Sequence, residues 1–349
     1  MAAAATKHGF DLRLAKAFIK PFGTDPKYVL LGIILTTGVF SMFMSNTATT
    51  AMMIAILTPV LKHFKGRDTF KKVMVLAVPF AANIGGVGTL IGTPPNAVAA
   101  SILNDLGRPI SFLGWMMIGF PLAVVLLFIL WVALLKIFKP RNVEFDLLFP
   151  EQLTLTWDLL MVFWTFIITV LLWLTEPLHH IPAAVVAMLP IMVFTLFGIL
   201  DQHDLKKLDW DVIILVAGGL TLGVAMKTTG LSEILVSLLS VFHVSPFIML
   251  LIIILFSMAL SNFMSNTSAA NVIIPIVTSM AIFDPLLGAL AVAFACSLAM
   301  SLPISTPPNA IAFATHAIET KELAKYGTMM SMFGVIFIVI LLAVIRMFV

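Results

Sequence analysis

Cysteine occurs once in the 349 residues, at Cys296, so neither an intrachain disulfide framework nor a cysteine-held metal cluster is available. Charge is scarce as well. Asp, Glu, Lys and Arg make up 11% of the chain, whereas soluble domains carry about 25%. No His or Asp falls in mid-segment near Ser45 or Ser265. A serine with its base, or a pair of intramembrane aspartates, is therefore missing, and the chain does not read as an enzyme. The opening stretch MAAAATKHGFDLRLAKAFIKPFG has charges spread through it and no apolar run before a cleavage site, so it does not read as a signal peptide. Its apolar residues alternate with Arg13, Lys16 and Lys20, the pattern of a short amphipathic helix over 11–22 at a membrane interface.

What the chain has is hydrocarbon. It is 61% hydrophobic with a mean hydropathy of +1.11. Apolar segments fall at 29–61, 73–102, 112–135, 157–175, 181–200, 211–226, 246–278, 286–315 and 326–348, many near the ~20 residues that cross a bilayer as helix. The expected fold class is an all-α polytopic membrane protein. Segments 29–61 and 246–278 are too long for one span and carry a polar break at mid-length, which suits re-entrant hairpins of two half-helices. The charges favour that reading. With both segments as hairpins, all of the 20 Lys and Arg except Arg108, Lys227 and Arg346 fall on one side, the cytoplasmic one. Five crossings separate the hairpins, so the first opens to the cytoplasm and the second to the outside.

The two halves match each other. SMFMSNT at 41–47 pairs with SNFMSNT at 261–267, differing only at Met42 against Asn262, and TPPNA recurs at 93–97 and 306–310. Repeats of opposite topology with broken helices are the architecture of secondary transporters. The expected domains are a cytoplasmic amphipathic helix (1–28) and a first, incomplete repeat (29–140) with hairpin 29–61 and broken helix 73–102. A cytoplasmic linker (141–156) leads to the second, inverted repeat (157–349) with hairpin 246–278 and broken helix 286–315. That makes about seven full spans. The three spans of 157–229 have no counterpart ahead of the first hairpin, which suggests a downstream start codon or a truncated gene.

Irregular backbone at membrane depth survives only inside protein or beside a water-filled cavity. GGVGTLIGTPPN (85–96) and SLPISTPPN (301–309) cannot be continuous helix, because paired prolines remove donors. Their freed carbonyls suit a dehydrated sodium ion. A half-helix starting after Ser-Asn-Thr points its N–H groups and positive dipole end at the break, which suits an anion.

These residues resemble the divalent anion–sodium symporter family, the di- and tricarboxylate and sulfate transporters, whose hallmark is a Ser-Asn-Thr tip in each repeat with a TPP-type break nearby. The resemblance covers the whole chain, short of the family's first four spans. It implies one sodium site at Ser41, Ser45, Asn46 and Gly92, and a second at Ser261, Ser265, Asn266 and Ser305, several of them through backbone carbonyls. It implies that Asn46, Thr47, Asn266 and Thr267 hold the substrate carboxylates, with Thr93, Pro94, Thr306 and Pro307 completing the pocket. The breaks differ where Gly92 faces Ser305, whose hydroxyl would alter the ion site if it pointed inward. An elevator motion, a homodimer where the scaffold is complete, and a multi-pass location in the plasma (inner) membrane follow from the same resemblance. Sodium is the coupling ion, and neither a cofactor nor a nucleic-acid partner is expected. No Lys or Arg lies near either motif, so bound sodium must neutralise a dianion there, and sodium binds before the anion. With nothing dedicated to a third carboxylate, a C4-dicarboxylate such as succinate is the expected substrate. Citrate or sulfate transport, sodium-independent exchange and a non-transporting remnant are the alternatives.

The remaining polar residues read more plainly. Gly218, Gly219 and Gly223 suit close helix packing. His179 and His180 fit a solvated outer loop, and Lys227 and Glu233 an interface. Asp201, Asp204, Asp209 and Asp211 flank Lys206 and Lys207 in a solvated turn. Trp115, Trp157, Trp164 and Trp173 suit interfacial belts or core packing.

Overall fold

A computed structural model describes residues 1–61, 69–138, 156–206, 210–231, 234, 245–280 and 284–347. The linker 141–155, the charges of 62–68, Lys207, Asp209, Glu233, the side chains of Asp211 and Lys227, and nearly all of the amphipathic segment 230–242 lie outside the described residues.

Helices begin where a capping side chain meets a proline. Asp25-Pro26, Ser245-Pro246 and Asp284-Pro285 each place an oxygen acceptor on the first turn and a ring at the first helical position. The first hairpin runs up Pro26–Phe43 and returns along Asn46–Leu61. The second runs along Pro246–Phe263 and Asn266–Ser279. Between the arms only Met44-Ser45 and Met264-Ser265 are non-helical. The arms are longer than half-helices. Eighteen residues extend about 27 Å, against the roughly 15 Å that half of a hydrocarbon core needs. By length alone the first arm of each hairpin would cross most of a bilayer.

That the chain reverses at the first tip follows from the next helix. Thr69–Gly86 lies along both arms of the hairpin, most extensively along the first. A Cβ on Gly85 would stand 2.2 Å from the Gly38 carbonyl oxygen, so glycine is obligatory for this approach. The first broken helix continues as Pro94–Asp105 and the second comprises Pro285–Ser297 and Pro307–Phe313. The repeats interdigitate. Pro307–Phe313 packs on the first hairpin's return arm, and the second hairpin's return arm packs on Pro94–Asp105.

Val73–Gly86 and Leu287–Ser297 are buried without interruption, so the two broken helices form the centre. Spans Phe112–Ile137, Trp157–Leu174 and Thr320–Ile345 lie outside them. Trp157, Leu160, Trp164, Ile168 and Leu171 form an exposed apolar stripe at three- and four-residue spacing, as expected of a helix face turned to lipid. Trp115 and Trp173 are buried, so the tryptophans divide between core and outer surface. Five helices among the described residues are long and apolar enough to cross a membrane.

The long-range ion pairs Lys7–Asp204, Lys7–Asp201, Lys72–Glu322 and Arg108–Asp284 each join two segments that the charge count puts on one side. Lys7 pairs with Asp204 and Asp201, and Lys72 with Glu322, all on the lysine-rich side. Arg108 pairs with Asp284 on the other, where Glu176 also accepts a bond from the Phe112 amide at 3.0 Å. Asp201 and Asp204 are therefore partners of the N-terminal helix rather than a free turn. The amphipathic helix Phe10–Ile19 packs on the first hairpin and on Trp157–Leu174, burying Asp11, Ala15 and Ile19. His179 also has a structural role, with Nε2 2.8 Å from Leu172 O and Nδ1 accepting from the Ile181 amide. Gly219 and Gly223 pack against Asn271 and Pro275 as expected, whereas Gly218 faces open space.

Candidate functional site at the two hairpin tips

The tips are built alike. Ser41 Oγ donates to Asn46 Oδ1 at 2.5 Å, and Ser261 Oγ donates to Asn266 Oδ1 at 2.8 Å. Both serines are fully buried. In each, a hydroxyl one turn before the tip orients the amide that begins the return arm. Ser45 and Ser265 do something else. They are exposed, and their hydroxyls accept from the amides of Ala48 (3.2 Å) and Ser268 (3.1 Å), which makes them N-caps.

Side chains satisfy several carbonyls of each break. Asn96 Nδ2 donates to Gly86 O at 3.0 Å and Thr89 O at 2.7 Å. Trp115 Nε1 donates to Val87 O at 3.2 Å. In the second repeat Asn309 Nδ2 donates to Met300 O and Leu302 O, both at 2.9 Å, and Ser331 donates to Leu298 O. The last residue of TPPN is thus a clamp on the broken helix. An amide or indole N–H thus meets Gly86 O, Val87 O, Thr89 O, Met300 O and Leu302 O in place of a cation. Thr89 also donates to Met42 O and ties the first break to the tip.

Gly92 and Ser305 differ for a local reason. A Cβ at Gly92 would lie 2.4 Å from Gly86 O, which excludes any side chain. Ser305 Oγ turns into its own loop, donating to Leu302 O at 2.7 Å, and so does not face the second tip.

One cluster of oxygens remains unanswered. The inward atom of the Asn46 amide stands 2.5 Å from Ser41 Oγ and 3.2 Å from both Gly92 O and Ala82 O. If that atom is Oδ1, three oxygens surround a fourth. Turning the amide over would place nitrogen there instead. Asn46, Ser41 and Gly92 are thus brought together; Ser45 contributes no side chain, and Ala82 joins them. At the second tip Ser261 and Asn266 meet, joined by Cys296 O at 3.0 Å.

The residue that sequence reading missed is Asn83, fully buried in Thr69–Gly86. Its Nδ2 lies 3.2 Å from Thr306 Oγ1 and 3.4 Å from Asn309 Oδ1. Its Oδ1 lies 3.4 Å from Asn46 Nδ2, so the first tip and the second break are in contact through it. The signal was present: an amide in mid-membrane is a functional candidate by default.

Thr306 Oγ1 accepts from Asn83 Nδ2 and from the Asn309 amide, which fills both lone pairs and leaves its proton to donate. The Thr93 side chain makes no cap bond, and Pro94 opens its helix as Pro307 opens the other. Thr47 is exposed and Thr267 buried, each in the first turn of a return arm. Among the described residues, no ion pair involves a tip or a break.

A model of the family described as citrate transporters matches residues 1–293 and again 170–349. The chain belongs to the divalent anion–sodium symporter family. It is 32% identical, over 97% of its own length and 73% of the relative's, to the sodium-dependent dicarboxylate transporter SdcS of Staphylococcus saprophyticus. It is 31% identical to the sodium-dependent high-affinity dicarboxylate transporter 3 of Caenorhabditis elegans, over 95% and 70% of the two chains. In fold it is similar to the YdaH transporter of Alcanivorax borkumensis, with a TM-score of 0.61 over 99% of this chain and 83% of that one at 13% identity. This family member is an integral, multi-pass membrane protein.

Proposed function

We propose that the chain carries out sodium-coupled symport of a C4-dicarboxylate such as succinate. The observation that carries the reading is the cluster of Ser41 Oγ, Ala82 O and Gly92 O around the inward end of the Asn46 amide, neutral oxygens gathered at one tip. Such a set suits a hard monovalent cation. The relatives' sodium and dicarboxylate dependence supports the same assignment.

The sodium ion is cargo as well as counter-charge. With no ion-paired cation at the tips, a dianion entering a low-dielectric site has only helix dipoles to meet it, about half a charge each. Ser41, Asn46 and the Ala82 and Gly92 carbonyls hold one ion. Ser261, Asn266 and the carbonyls of the second break hold the other. The substrate carboxylates then take the Thr306 hydroxyl proton, the Asn266 amide and the hydroxyls of Thr47, Thr93 and Thr267. Pro94 and Pro307 start the helices whose N-termini face the anion. Ion first and anion second is the order that this charge balance requires. Because the hairpins and broken helices of both repeats interdigitate, they would move as one body against the outer spans, an elevator motion within a homodimer.

The test is uptake of radiolabelled succinate by proteoliposomes, with an inward sodium gradient and with potassium in its place, for the wild-type chain and for Asn46→Ala and Asn266→Ala. Sodium-dependent uptake that both substitutions abolish is the expected result. Uptake indifferent to sodium would overturn symport in favour of exchange, and no uptake by the wild-type chain would overturn transport by this polypeptide.

A further inference from the structure

Which end of the Asn46 amide faces the oxygen cluster is decided several residues away. Asn309 is fixed, because its Nδ2 donates to Met300 O and Leu302 O; its Oδ1 therefore faces Asn83. That oxygen demands a donor, so Asn83 presents Nδ2 to it at 3.4 Å and to Thr306 Oγ1 at 3.2 Å. Asn83 Oδ1 is then left facing Asn46, and it accepts from Asn46 Nδ2 at 3.4 Å. The outcome is that Asn46 Oδ1 points inward, toward Ser41 Oγ, Ala82 O and Gly92 O. Local contacts alone prefer the opposite. With nitrogen inward, Asn46 would donate to all three. Two preferences therefore compete at one side chain, and a cation among the oxygens reconciles them.

We propose that Asn83 is a positioning residue that holds the carbonyl end of Asn46 toward the first ion site, on instruction from the break of the second repeat. The inference rests on the sodium reading and adds to it a route of coupling between the repeats. Without an ion the Asn46 amide is torn between two orientations. With Asn83 held by Thr306 and Asn309, the ion-binding orientation is prepared. A change at Thr306, which is itself a substrate donor, reaches the first ion site through one amide.

The coupling runs one way. The two TPPN copies are offset by 213 residues (309 − 96), which places Cys296 opposite Asn83 (83 + 213). Cys296 is fully buried, and its thiol lies against Ser257 O, at 3.9 Å, and the Ser261 hydroxyl. Its side chain offers no amide to Asn266, and its link to that residue runs through Ser261 Oγ, which bonds both Asn266 Oδ1 and Cys296 O. The second tip is oriented by Ser261 and the Cys296 carbonyl of its own repeat, so the symmetric repeats carry ion sites of unequal dependence.

The test is equilibrium binding of radiolabelled sodium to the detergent-purified full chain, comparing wild type with Asn83→Leu, which keeps the volume and removes both hydrogen-bonding ends. Asn83→Leu is expected to weaken sodium binding about five- to tenfold, the loss of one to two orienting hydrogen bonds. The same substitution is made in an Asn46→Asp background, where two equivalent oxygens make amide orientation irrelevant. There Asn83→Leu is expected to change sodium affinity less than about twofold. An equal loss in both backgrounds would mean that Asn83 acts through packing and would overturn the proposal. So would unchanged binding in the wild-type background. Absence of sodium binding by the wild-type chain would instead sink the symport reading on which the proposal rests.

Discussion

Lys72, at the start of the first broken helix, pairs with Glu322 at the start of the last span, 250 residues further on. The pair brings together two loops that the distribution of lysine and arginine assigns to one face of the membrane. Arg108 and Asp284 do the same for the opposite face.

Sidedness is open to direct measurement because Cys296 is the single cysteine and is fully buried. The wild-type chain should be silent to an impermeant maleimide. Lys27→Cys and Leu178→Cys, both at exposed positions, should label from opposite faces of oriented vesicles. Labelling of both from one face would overturn the hairpin topology.

The serines of each tip should separate by phenotype. Ser45→Ala and Ser265→Ala remove N-caps and should cost about 1 kcal/mol of stability while leaving the sodium affinity of uptake within about twofold. Ser41→Ala removes a buried hydroxyl at the oxygen cluster and should raise the sodium concentration for half-maximal uptake by about tenfold. Equal effects would refute the division into caps and ligands.

Asn309→Leu would leave Met300 O without its side-chain donor and Leu302 O with only the bonds from Ser305. Buried carbonyls stranded in this way cost about 1–3 kcal/mol each. A large drop in thermal stability is expected in detergent, and Asn96→Leu should behave in the same way. An unchanged melting temperature in either variant would show that another group takes over the clamp.

Glycine positions should split sharply. Gly85→Ala drives a methyl to within 2.2 Å of Gly38 O and should prevent close packing of helix on hairpin, at about 1–3 kcal/mol or more. Gly218→Ala meets nothing within 4 Å and should be neutral or stabilising by up to about 1 kcal/mol. Thermal melting of the two variants side by side checks both.

Asp11 sets a pH dependence outside the spans. Burial pushes its carboxyl above the usual range, opposed by bonds from Thr6 Oγ1 and the Leu12 amide. A raised acid binds its proton more tightly in the folded state, so its contribution falls as pH rises from the unfolded value through the folded one. Asp11→Asn should therefore melt higher than wild type at neutral pH. The difference should close as the pH is lowered below the unfolded carboxylate range. A gap that stays constant with pH would exclude Asp11 as the source.

Much of the fold was legible because membrane helices announce themselves. A bilayer demands apolar length, so spans 112–135, 157–175 and 326–348 appear as Phe112–Ile137, Trp157–Leu174 and Thr320–Ile345. Prolines marked both breaks, with glycines in the first, and the repeated motifs marked both tips. Arm length was less legible, because a polar triplet shows where the chain turns but not how far each arm extends beyond the apolar layer.

The amino-acid sequence by itself determined the membrane class, the two tips, the two breaks and the family, since composition and motif spacing are local properties of the chain. Tertiary structure alone decided which hydroxyls cap and which face the buried oxygen cluster, because Ser41 and Ser45 differ only in what folds against them. It also decided that Asn96 and Asn309 clamp carbonyls, and that Asn83 of one repeat touches Thr306 of the other. Those contacts span 223 residues and arise where the repeats interdigitate. A side chain's hydrogen-bonding role depends on its neighbours in space, and no periodicity in one chain records them.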